Sequence, residues 1–344
     1  MYNIFNISKE TAPLFKSCFD ANGSSKSIEK IIWQFLETPS KKQLVDIAID
    51  KETEKVAAVY AVFPVHFQID RKKVLACQSL DTMTDVDYRG KGLFVKLAAD
   101  VYQKAHSDGL KLVYGFPNGS SIHGFVKKLS WQVLDPVPFL IKPLKTKYFT
   151  DKIKMLSWLP NISLSRSYGL GKNYIIKNEK VFPAAVDEIW NNFSKDIKVA
   201  VHRDKAYLDW RYLNKPSEDY MIDHIYSGNK YIGYIVYCIK EKHGGKVAYI
   251  MELVYQLEFE DAASFLLKNA LNIIRKSGAD CILVWCLEHS PNYKIFSKRG
   301  FFTMPEKFKP IELHFGVRAF DESLAHMIND RKNWYLSYSD SDTV

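Results

Sequence analysis

Cysteine is scarce in this chain, with 5 residues among 344. Their number is odd, no CxxC pair occurs, and Cys281 and Cys286 lie five positions apart in one predicted strand, which places them on opposite faces. This pattern supports neither a disulfide framework nor a zinc site, so we expect no bound metal. The chain also lacks an apolar run of about 18 residues and a basic-then-apolar amino terminus. We therefore expect a cytoplasmic protein without membrane contact.

Long runs of one charge are missing as well. The formal net charge is +9, but the lysines are scattered, and the densest stretches, "KEKHGGK" and "KPLKTK", are short. Aromatic residues interleaved with arginine along one strand, which would stack on bases, are not seen, and this argues against a nucleic-acid partner. A hydrophobic fraction of 47% with 25% charged residues is typical of a globular protein. The length suggests two domains.

Hydrophobic periodicity predicts alternating helices and strands in the first part of the chain. The apolar spacing of "SIEKIIWQFLETP" predicts a helix that ends at its proline, and another helix runs from Leu93 to about His106. A further helix is predicted at about residues 120–129. The predicted strands are "QLVDIAID", "KVAAVYAVFPVHFQI", "KVLACQSLDTMTDV", "LKLVYGF" and two short ones in "WQVLDPVPFLIKPL".

The same order of segments recurs later in the chain. "WQFLETPSKKQLVDIA" from Trp33 corresponds without a gap to "WRYLNKPSEDYMIDHI" from Trp210, and "DGLKLVYGF" corresponds to "SGADCILVWCL". Such self-similarity indicates an internal duplication. We therefore predict two copies of one domain, at residues 1–145 and 176–320, joined by a linker at 146–175 and followed by a tail at 321–344.

The stretch "DVDYRGKGLF", from Asp85 to Phe94, lies between a predicted strand and a predicted helix. A helix amino terminus carries unpaired N–H groups and a partial positive charge, glycines permit close approach, and Arg89 and Lys91 add full charges. The loop matches neither GxxxxGK(S/T) nor GxGxxG, because Val95 stands where the latter needs its last glycine. Taken alone, it predicts either a phosphate-binding turn or a tight turn with two solvated cations.

The order of elements around this loop resembles the GNAT family of acyl-CoA N-acyltransferases. A strand ends in "TDVDYRGKG" and is followed by a helix, the strand "LKLVYGFPN" and a second helix that closes with "VKKLSW". The family signature at this loop is (Q/R)xxGx(G/A); Arg89 and Gly92 match it, and Phe94 stands where a small residue is expected. The resemblance implies an α/β fold of two tandem GNAT-like domains, each a mixed, mostly antiparallel sheet flanked by helices.

The resemblance also implies acetyl-CoA, or another acyl-CoA, as co-substrate. Family members bind the pantetheine arm with backbone groups of the strand before the loop, hold the pyrophosphate with loop amides, and use an asparagine at the start of the later helix. The residues at these places are Met83, Thr84, Asp85, Arg89, Gly90, Lys91, Gly92, Leu93 and Asn118.

Catalysis requires a neutral attacking amine and a proton for the leaving thiolate. The tyrosine that often supplies this proton is replaced here by Phe125 or Val126. Tyr114 and His123 are alternative acids, although the pattern favours a half-buried strand tyrosine and a surface helix histidine. Asp81, on the strand before the loop, is the candidate base.

The second copy carries Glu258, Phe259, Glu260 and Asp261 where the first has its phosphate-binding loop. Carboxylates repel a pyrophosphate and instead favour their own helix amino terminus. We therefore expect one acyl-CoA site per chain. Glu252 could face an acceptor or be a paired strand carboxylate, and the tail could cover the pocket with Asp340 and Asp342.

The sequence thus predicts an acetyl-CoA-dependent N-acyltransferase that acts on an amine of a small molecule or glycan precursor by direct transfer in a ternary complex. Two alternatives remain open at this point. One is a relative of the Fem-type aminoacyl transferases, against which the intact loop argues, and the other is a non-catalytic CoA-binding sensor.

Overall fold

The computed structural model describes residues 1–150, 158, 160–171, 173–309 and 311–343. Part of the predicted linker, residues 146–175, lies outside the described residues, as do positions 310 and 344. No helix in the described part of the chain is long and apolar enough to cross a bilayer. The same residues contain no cluster of histidine, cysteine or acidic side chains that could hold a metal ion.

The first half of the molecule is defined here as the elements from β1 to α5. They are β1 Tyr2–Asn6, α1 Ala12–Ala21, α2 Ile28–Phe35, β2 Leu44–Asp50, β3 Val56–Ile69, β4 Lys72–Thr84, α3 Leu93–Ser107, β5 Leu112–Gly115, α4 Ile122–Leu129, β6 Gln132–Leu134, β7 Phe139–Pro143 and α5 Lys147–Thr150.

The second half runs from β8 to α10 and repeats the strand pattern of the first. Its elements are β8 Ile175–Asn178, α6 Val186–Phe193, β9 Val199–Val201, α7 Lys205–Leu208, β10 Met221–Ser227, β11 Lys230–Lys242, β12 Gly245–Tyr255, α8 Glu260–Lys276, β13 Cys281–Trp285, α9 Tyr293–Ser297, β14 Phe302–Thr303, β15 Phe315–Ala319 and α10 Ala325–Ile328.

Local sequence accounts for the helices that flank the first sheet. Leu93, Leu97, Val101 and Ala105 recur at helical spacing in α3 and are all buried, so one face of this helix packs on the sheet. The start of α2 is capped by the Ser27 side chain, which accepts a hydrogen bond from the backbone N–H three residues later. The predicted helices and strands of this region are confirmed, with shifts of a few residues at their ends.

Two mixed sheets form the centre of the molecule. The first has the order β1-β2-β3-β4-β5-β15-β6, with β9 paired to β3, and the second has the order β14-β7-β13-β12-β11-β10-β8. Among the strand pairs of the described residues, two are parallel, β4 with β5 and β12 with β13, and the others are antiparallel. The predicted fold class, an α/β arrangement of two similar, mostly antiparallel sheets flanked by helices, is confirmed.

The two halves exchange one strand each. β15 of the second half lies between β5 and β6 of the first sheet, and β7 of the first half lies between β13 and β14 of the second sheet. If β9 is left out and the other strands of each half are numbered one to seven in chain order, both sheets have the order 1-2-3-4-5-7-6, with the seventh strand supplied by the other half. Each sheet is therefore completed by the opposite half.

The repeated tryptophans meet at the contact between the halves. The rings of Trp33 and Trp210 stack with centroids 4.6 Å apart. The Nε1 of Trp33 donates to the backbone oxygen of Trp210 at 2.8 Å, and the reverse bond is 3.0 Å long. Such a reciprocal pair is the contact expected where two similar units meet about an approximate two-fold axis.

Candidate functional site

A cleft opens where β4 and β5 separate. The two strands pair in parallel from Cys77 to Ser79 on β4, but β5 ends at Gly115 while β4 continues to Thr84. The pairing of β3 with β4 changes register next to Asp81, whose φ is 50°. A bulge of this kind bends the strand away from its neighbour. The result is a cleft of about 1010 Å³.

The cleft is lined by both polar and apolar groups. Its wall is formed by Phe19, the β4 residues 78–84, Tyr88, Arg89, Gly90, Gly92, Leu93, Phe94, Phe116, Pro117, Asn118, Ser120, Ser121, Gly124, Phe125, Trp131, Ser341, Asp342 and Thr343. The lining thus combines the end of β4, the start of α3, the loop before α4 and the carboxyl-terminal tail.

The loop before α3 has the geometry of an anion-binding turn. Gly90 and Gly92 have φ values of 77° and 75°, and Gly92 precedes the first residue of the 15-residue helix. A Cβ at either glycine would meet nothing within 4 Å, so the left-handed backbone, and not crowding, requires glycine here. The helix amino terminus points its free N–H groups into this turn.

The predicted cofactor-binding residues fall into two groups. Met83, Thr84, Arg89, Gly90, Gly92, Leu93 and Asn118 line the cleft, whereas Asp85 and Lys91 are not part of its wall. The Asp85 carboxylate instead accepts hydrogen bonds from the Asp87 N–H and from the Asn22 side chain, each 3.0 Å long. The ammonium of Lys91 lies 4.6 Å from the centre of the Tyr88 ring. The binding roles of all these residues stay predictions.

Phe94 is accommodated by a glycine on the facing helix. Its ring makes edge contacts with Tyr60 and Phe125, at centroid distances of 5.9 and 5.1 Å. A Cβ at Gly124 would lie 2.8 Å from the Phe94 ring. The large residue on α3 and the missing side chain on α4 therefore compensate for each other, and the Phe94 ring forms part of the cleft wall.

The three predicted catalytic residues are not brought together. Asp81 borders the cleft, His123 is exposed on α4 outside the cleft wall, and Tyr114 is buried behind it. The Tyr114 hydroxyl donates to Gln78 at 3.3 Å, and burial raises the pKa of this phenol well above its usual value. The geometry gives neither Tyr114 nor His123 a contact with the cleft, and their catalytic roles stay untested predictions.

Asp81 belongs to a chain of alternating charges. It pairs with Lys26, which lies 3.6 Å from Asp342, and Asp342 is 3.1 Å from Lys215. Burial raises the pKa of the Asp81 carboxyl, Lys26 opposes this rise, and Asp342 adds to it. Burial also lowers the pKa of Lys215 to about 8. Asp81 is therefore a carboxylate that takes up a proton more readily than an exposed aspartate.

Sequence reasoning did not identify Lys26, Lys215 or Ser79. Their positions carry no local motif, because the loop before α2, β4, the segment after α7 and the tail meet only in the folded chain. The tail was proposed to cover the pocket with two aspartates, and the structure separates these. Asp342 lines the cleft, whereas Asp340 is fully buried against Arg203.

The corresponding gap in the second half is filled by the tail. β12 continues past the last residue paired with β13, and residues 335–337 of the tail lie beside this stretch. Asn292 lies there too, and its amide donates to the Leu253 oxygen at 2.8 Å. Glu252 is not exposed to an acceptor, because it pairs with Arg203 at 2.8 Å in the interior.

The helix of the second half that corresponds to α3 begins with acidic residues. Just before α8, Glu258 lies 3.8 Å from Lys230. In the first turn of α8, Glu260 lies 3.8 Å from Lys298, and Asp261 accepts a hydrogen bond from Tyr174. These contacts neutralise carboxylates at a helix amino terminus, where negative charge is favourable. The start of α8 therefore differs from the glycine turn before α3, and the expectation of one acyl-CoA site per chain stays a prediction.

Comparison with known proteins agrees with this architecture. Residues 8–134 match the family model described as an acetyltransferase (GNAT) domain. A comparison with curated protein sequences finds no significant match. The family match lies within the first half only. The similarity of the second half to this domain is therefore inferred from the matching strand order of the two sheets.

Solved structures resemble the chain over nearly its whole length. N-myristoyltransferase from Saccharomyces cerevisiae with bound myristoyl-CoA is 12% identical, with 93% of this chain and 82% of that chain covered and a TM-score of 0.60. A GCN5-related N-acetyltransferase from Anabaena variabilis is 13% identical, with 95% of this chain and 75% of that chain covered and a TM-score of 0.62. A probable N-acyltransferase from Enterococcus faecalis is 14% identical, with the same two coverages and a TM-score of 0.60. The chain therefore has a GNAT-like fold, with a GNAT acetyltransferase domain matched at residues 8–134.

Proposed function

We propose that this protein is an acyl-CoA-dependent N-acyltransferase, with acetyl-CoA as donor and an amine of a small molecule or glycan precursor as acceptor. The observation that carries the proposal is the cleft between β4 and β5, which begins at the glycine turn before α3 and ends beside Asp81. The GNAT match at residues 8–134 supports the same reaction class. We propose in particular that the transferred acyl group is acetyl, which makes the protein an N-acetyltransferase.

The residues of the cleft fit an acyl-CoA. The α3 amino terminus and Arg89 would hold the pyrophosphate, and the edge of β4 at Met83 and Thr84, which has no β5 partner, would hold the pantetheine arm. The Oγ1 of Thr82 is buried without a hydrogen-bond partner among the described residues. Since buried polar atoms are normally paired, this hydroxyl supports the binding of a polar ligand here.

The acceptor side of the cleft is formed by Asp81 and the tail. A bound acyl-CoA supplies an activated thioester, and the protein must position a neutral amine against it. Asp81 is the side chain that we propose takes the proton from the acceptor ammonium, because it lies in the cleft wall and its pKa is raised. The amine approaches between Asp81 and residues 341–343, within a ternary complex.

The closed end of the cleft bears on the length of the acyl group. The solved structures that resemble this chain include an N-myristoyltransferase with bound myristoyl-CoA. The cleft closes where β4 and β5 rejoin at Ser79 and Gly115, and the Trp131 ring lies 3.3 Å from a Cβ built on Gly115. This closure beside the thioester favours a short acyl group.

Thermal-shift titration with acetyl-CoA tests the proposal. A ligand that binds only the folded state stabilises it by about 2.7 kcal/mol at 100 times its Kd, so the melting temperature of the wild type should rise. Arg89→Glu places a carboxylate at the proposed pyrophosphate site and should abolish most of this rise. Lys72→Glu, at an exposed position at the other end of β4, is the matched control and should respond like the wild type.

The outcomes separate the proposed enzyme from its alternatives. No shift in the wild type would remove the acyl-CoA site and with it the proposal. A shift that is not followed by CoA release with any member of an amine library would favour the non-catalytic sensor.

A further inference from the structure

A buried chain of hydrogen bonds leads from the core to the cleft. The indole nitrogen of Trp131 lies 2.9 Å from the Tyr102 hydroxyl, which lies 2.5 Å from the Tyr60 hydroxyl, and Tyr60 lies 2.9 Å from Ser79 Oγ. All four residues are buried, and Ser79 borders the cleft. Burial raises the pKa of both phenols, so both remain protonated at neutral pH.

The indole nitrogen favours one direction for this chain of hydrogen bonds. It can only donate a hydrogen bond, so Tyr102 accepts from Trp131. The Tyr102 hydroxyl hydrogen then has Tyr60 as its acceptor, and Tyr60 in turn donates to Ser79. Each hydroxyl has one hydrogen, so the Ser79 hydrogen is left to be donated elsewhere.

The opposite direction is less favourable. If Ser79 donated to Tyr60 and Tyr60 donated to Tyr102, the Tyr102 hydrogen would have no acceptor among the described residues, and this hydroxyl is deep in the core. A buried donor without an acceptor costs about 1–3 kcal/mol. With the first direction, the unpaired hydrogen is at the cleft, where a ligand or water can accept it.

The position of Ser79 decides what that hydrogen would meet. Ser79 forms the last backbone pair of β4 with β5, opposite Gly115, and the cleft opens immediately after it. Two residues farther along β4 is Asp81, beside which the acceptor amine is proposed to bind. The Ser79 hydroxyl therefore lies at the closed end of the cleft, where the acyl group is proposed to lie.

We propose that the Ser79 hydroxyl donates a hydrogen bond to the thioester carbonyl oxygen of the bound acyl-CoA, and that Trp131, Tyr102 and Tyr60 are positioning residues that orient this donor. The inference rests on the proposed function, since it assigns a further catalytic residue to the same cleft. Negative charge grows on the carbonyl oxygen as the amine attacks, and a fixed donor at such an oxygen contributes roughly 10²- to 10³-fold to kcat.

Infrared spectroscopy of bound acetyl-CoA tests this donor without any acceptor. Acetyl-CoA carrying carbon-13 at the carbonyl is added to the full-length protein, and the isotope-edited carbonyl band is compared with that of the free compound. A hydrogen bond to the oxygen weakens the carbonyl bond, so the band of the wild-type complex should move to lower frequency. Ser79→Ala should return the band toward its free position while acetyl-CoA still raises the melting temperature.

Two further variants separate a hydrogen-bonding role from a structural one. Tyr60→Phe removes the hydroxyl that donates to Ser79, so the Ser79 side chain is no longer oriented by the buried chain, and this variant should reverse part of the band shift. Ser194→Ala is the control, because Ser194 is a buried serine with one side-chain bond, to Gln68 at 2.8 Å, away from the cleft. It should leave the band of the complex unchanged.

The results distinguish this inference from the proposed function. Absence of acetyl-CoA binding by the wild type overturns both. Binding with an unshifted band, or a shifted band that persists in Ser79→Ala, overturns only the assignment of Ser79. With an amine that the wild type acylates, Ser79→Ala should lower kcat at least 10²-fold with a nearly unchanged KM for acetyl-CoA.

Discussion

Asp81 occupies a backbone conformation that aspartate rarely adopts within a strand. Its φ of 50° lies in the left-handed region, which usually costs a residue other than glycine about 1–3 kcal/mol. The carboxylate is also largely buried, with 21% of the side chain exposed, and it depends on Lys26 for neutralisation. Strained backbone and a partly buried charge at one position, in a cleft wall, indicate a functional constraint.

Asp81→Asn tests this residue as the proton acceptor. The base must be unprotonated, so activity should fall at low pH, and the raised pKa of Asp81 places that fall at higher pH than for an ordinary aspartate. The asparagine keeps the shape but loses the titration, so kcat/KM should drop roughly 10²- to 10⁴-fold and the acid limb should disappear. CoA release between pH 5 and about 9 measures both.

Asp46→Asn is the matched control for this substitution. Asp46 is a buried carboxylate paired with Lys104 at 2.5 Å, and burial raises the pKa of Asp46 as well, but it lies outside the cleft wall. Its removal should affect stability and leave the pH profile of catalysis unchanged. An acid limb retained in Asp81→Asn would exclude Asp81 as the base.

The tail, residues 321–344, is attached to the second half by a buried ionic cluster. Arg203 pairs with Glu252 at 2.8 Å and with Asp340 at 2.5 Å, and its guanidinium also lies over the Trp190 and Tyr335 rings. All three charged side chains are fully buried. The cluster joins β12 to the tail segment that fills the second gap.

Arg203→Met should therefore destabilise the protein by about 3–5 kcal/mol, because it leaves two carboxylates buried without a cation. Urea unfolding measures the loss. Adding Glu252→Gln and Asp340→Asn to Arg203→Met should recover part of it, since the uncompensated charges are then gone. A loss below about 1 kcal/mol in the single variant would show that the tail does not depend on this cluster.

The sequence predicted the elements better than their arrangement. α3 and the long strands β3 and β4 were predictable because helix and strand periodicities are local properties of the chain. The exchange of β7 and β15 was not, because both strands have counterparts in a duplicated pattern and nothing within either strand specifies which sheet accepts it. The fit between Phe94 and Gly124 is likewise a contact between two helices, which periodicity cannot reveal.

In the candidate site too, features that depend on adjacent residues were predictable, and contacts between distant residues were not. The glycine turn was predictable because residues 89–93 are contiguous and their chemistry is local. The links from Asp81 through Lys26 to Asp342, and from Ser79 to Trp131, all join positions 19 or more residues apart in the sequence. Such links depend on tertiary packing.

For the whole molecule, the exchanged strands tie the two halves into one structural unit. The proposed domain limits, residues 1–145 and 176–320, divide the chain but not the sheets, because β15 completes the first sheet and β7 the second. The pairing of β9 with β3 and the Trp33–Trp210 stack add further links. Tandem domains joined only by a linker would open separately, whereas these halves should open together.

Hydrogen exchange measured by mass spectrometry tests this coupling. The most protected amides of β2 and β10, one from each half, should exchange with the same opening free energy, because neither sheet is complete without the other half. Gly316→Ala on β15 would place a Cβ 2.7 Å from the Trp131 ring, and such overpacking costs about 1–3 kcal/mol. It should lower the protection of both strands equally, whereas Gly171→Ala, with only a 3.9 Å contact, should change neither. If Gly316→Ala weakened β2 alone, the halves would be independent in spite of the exchange.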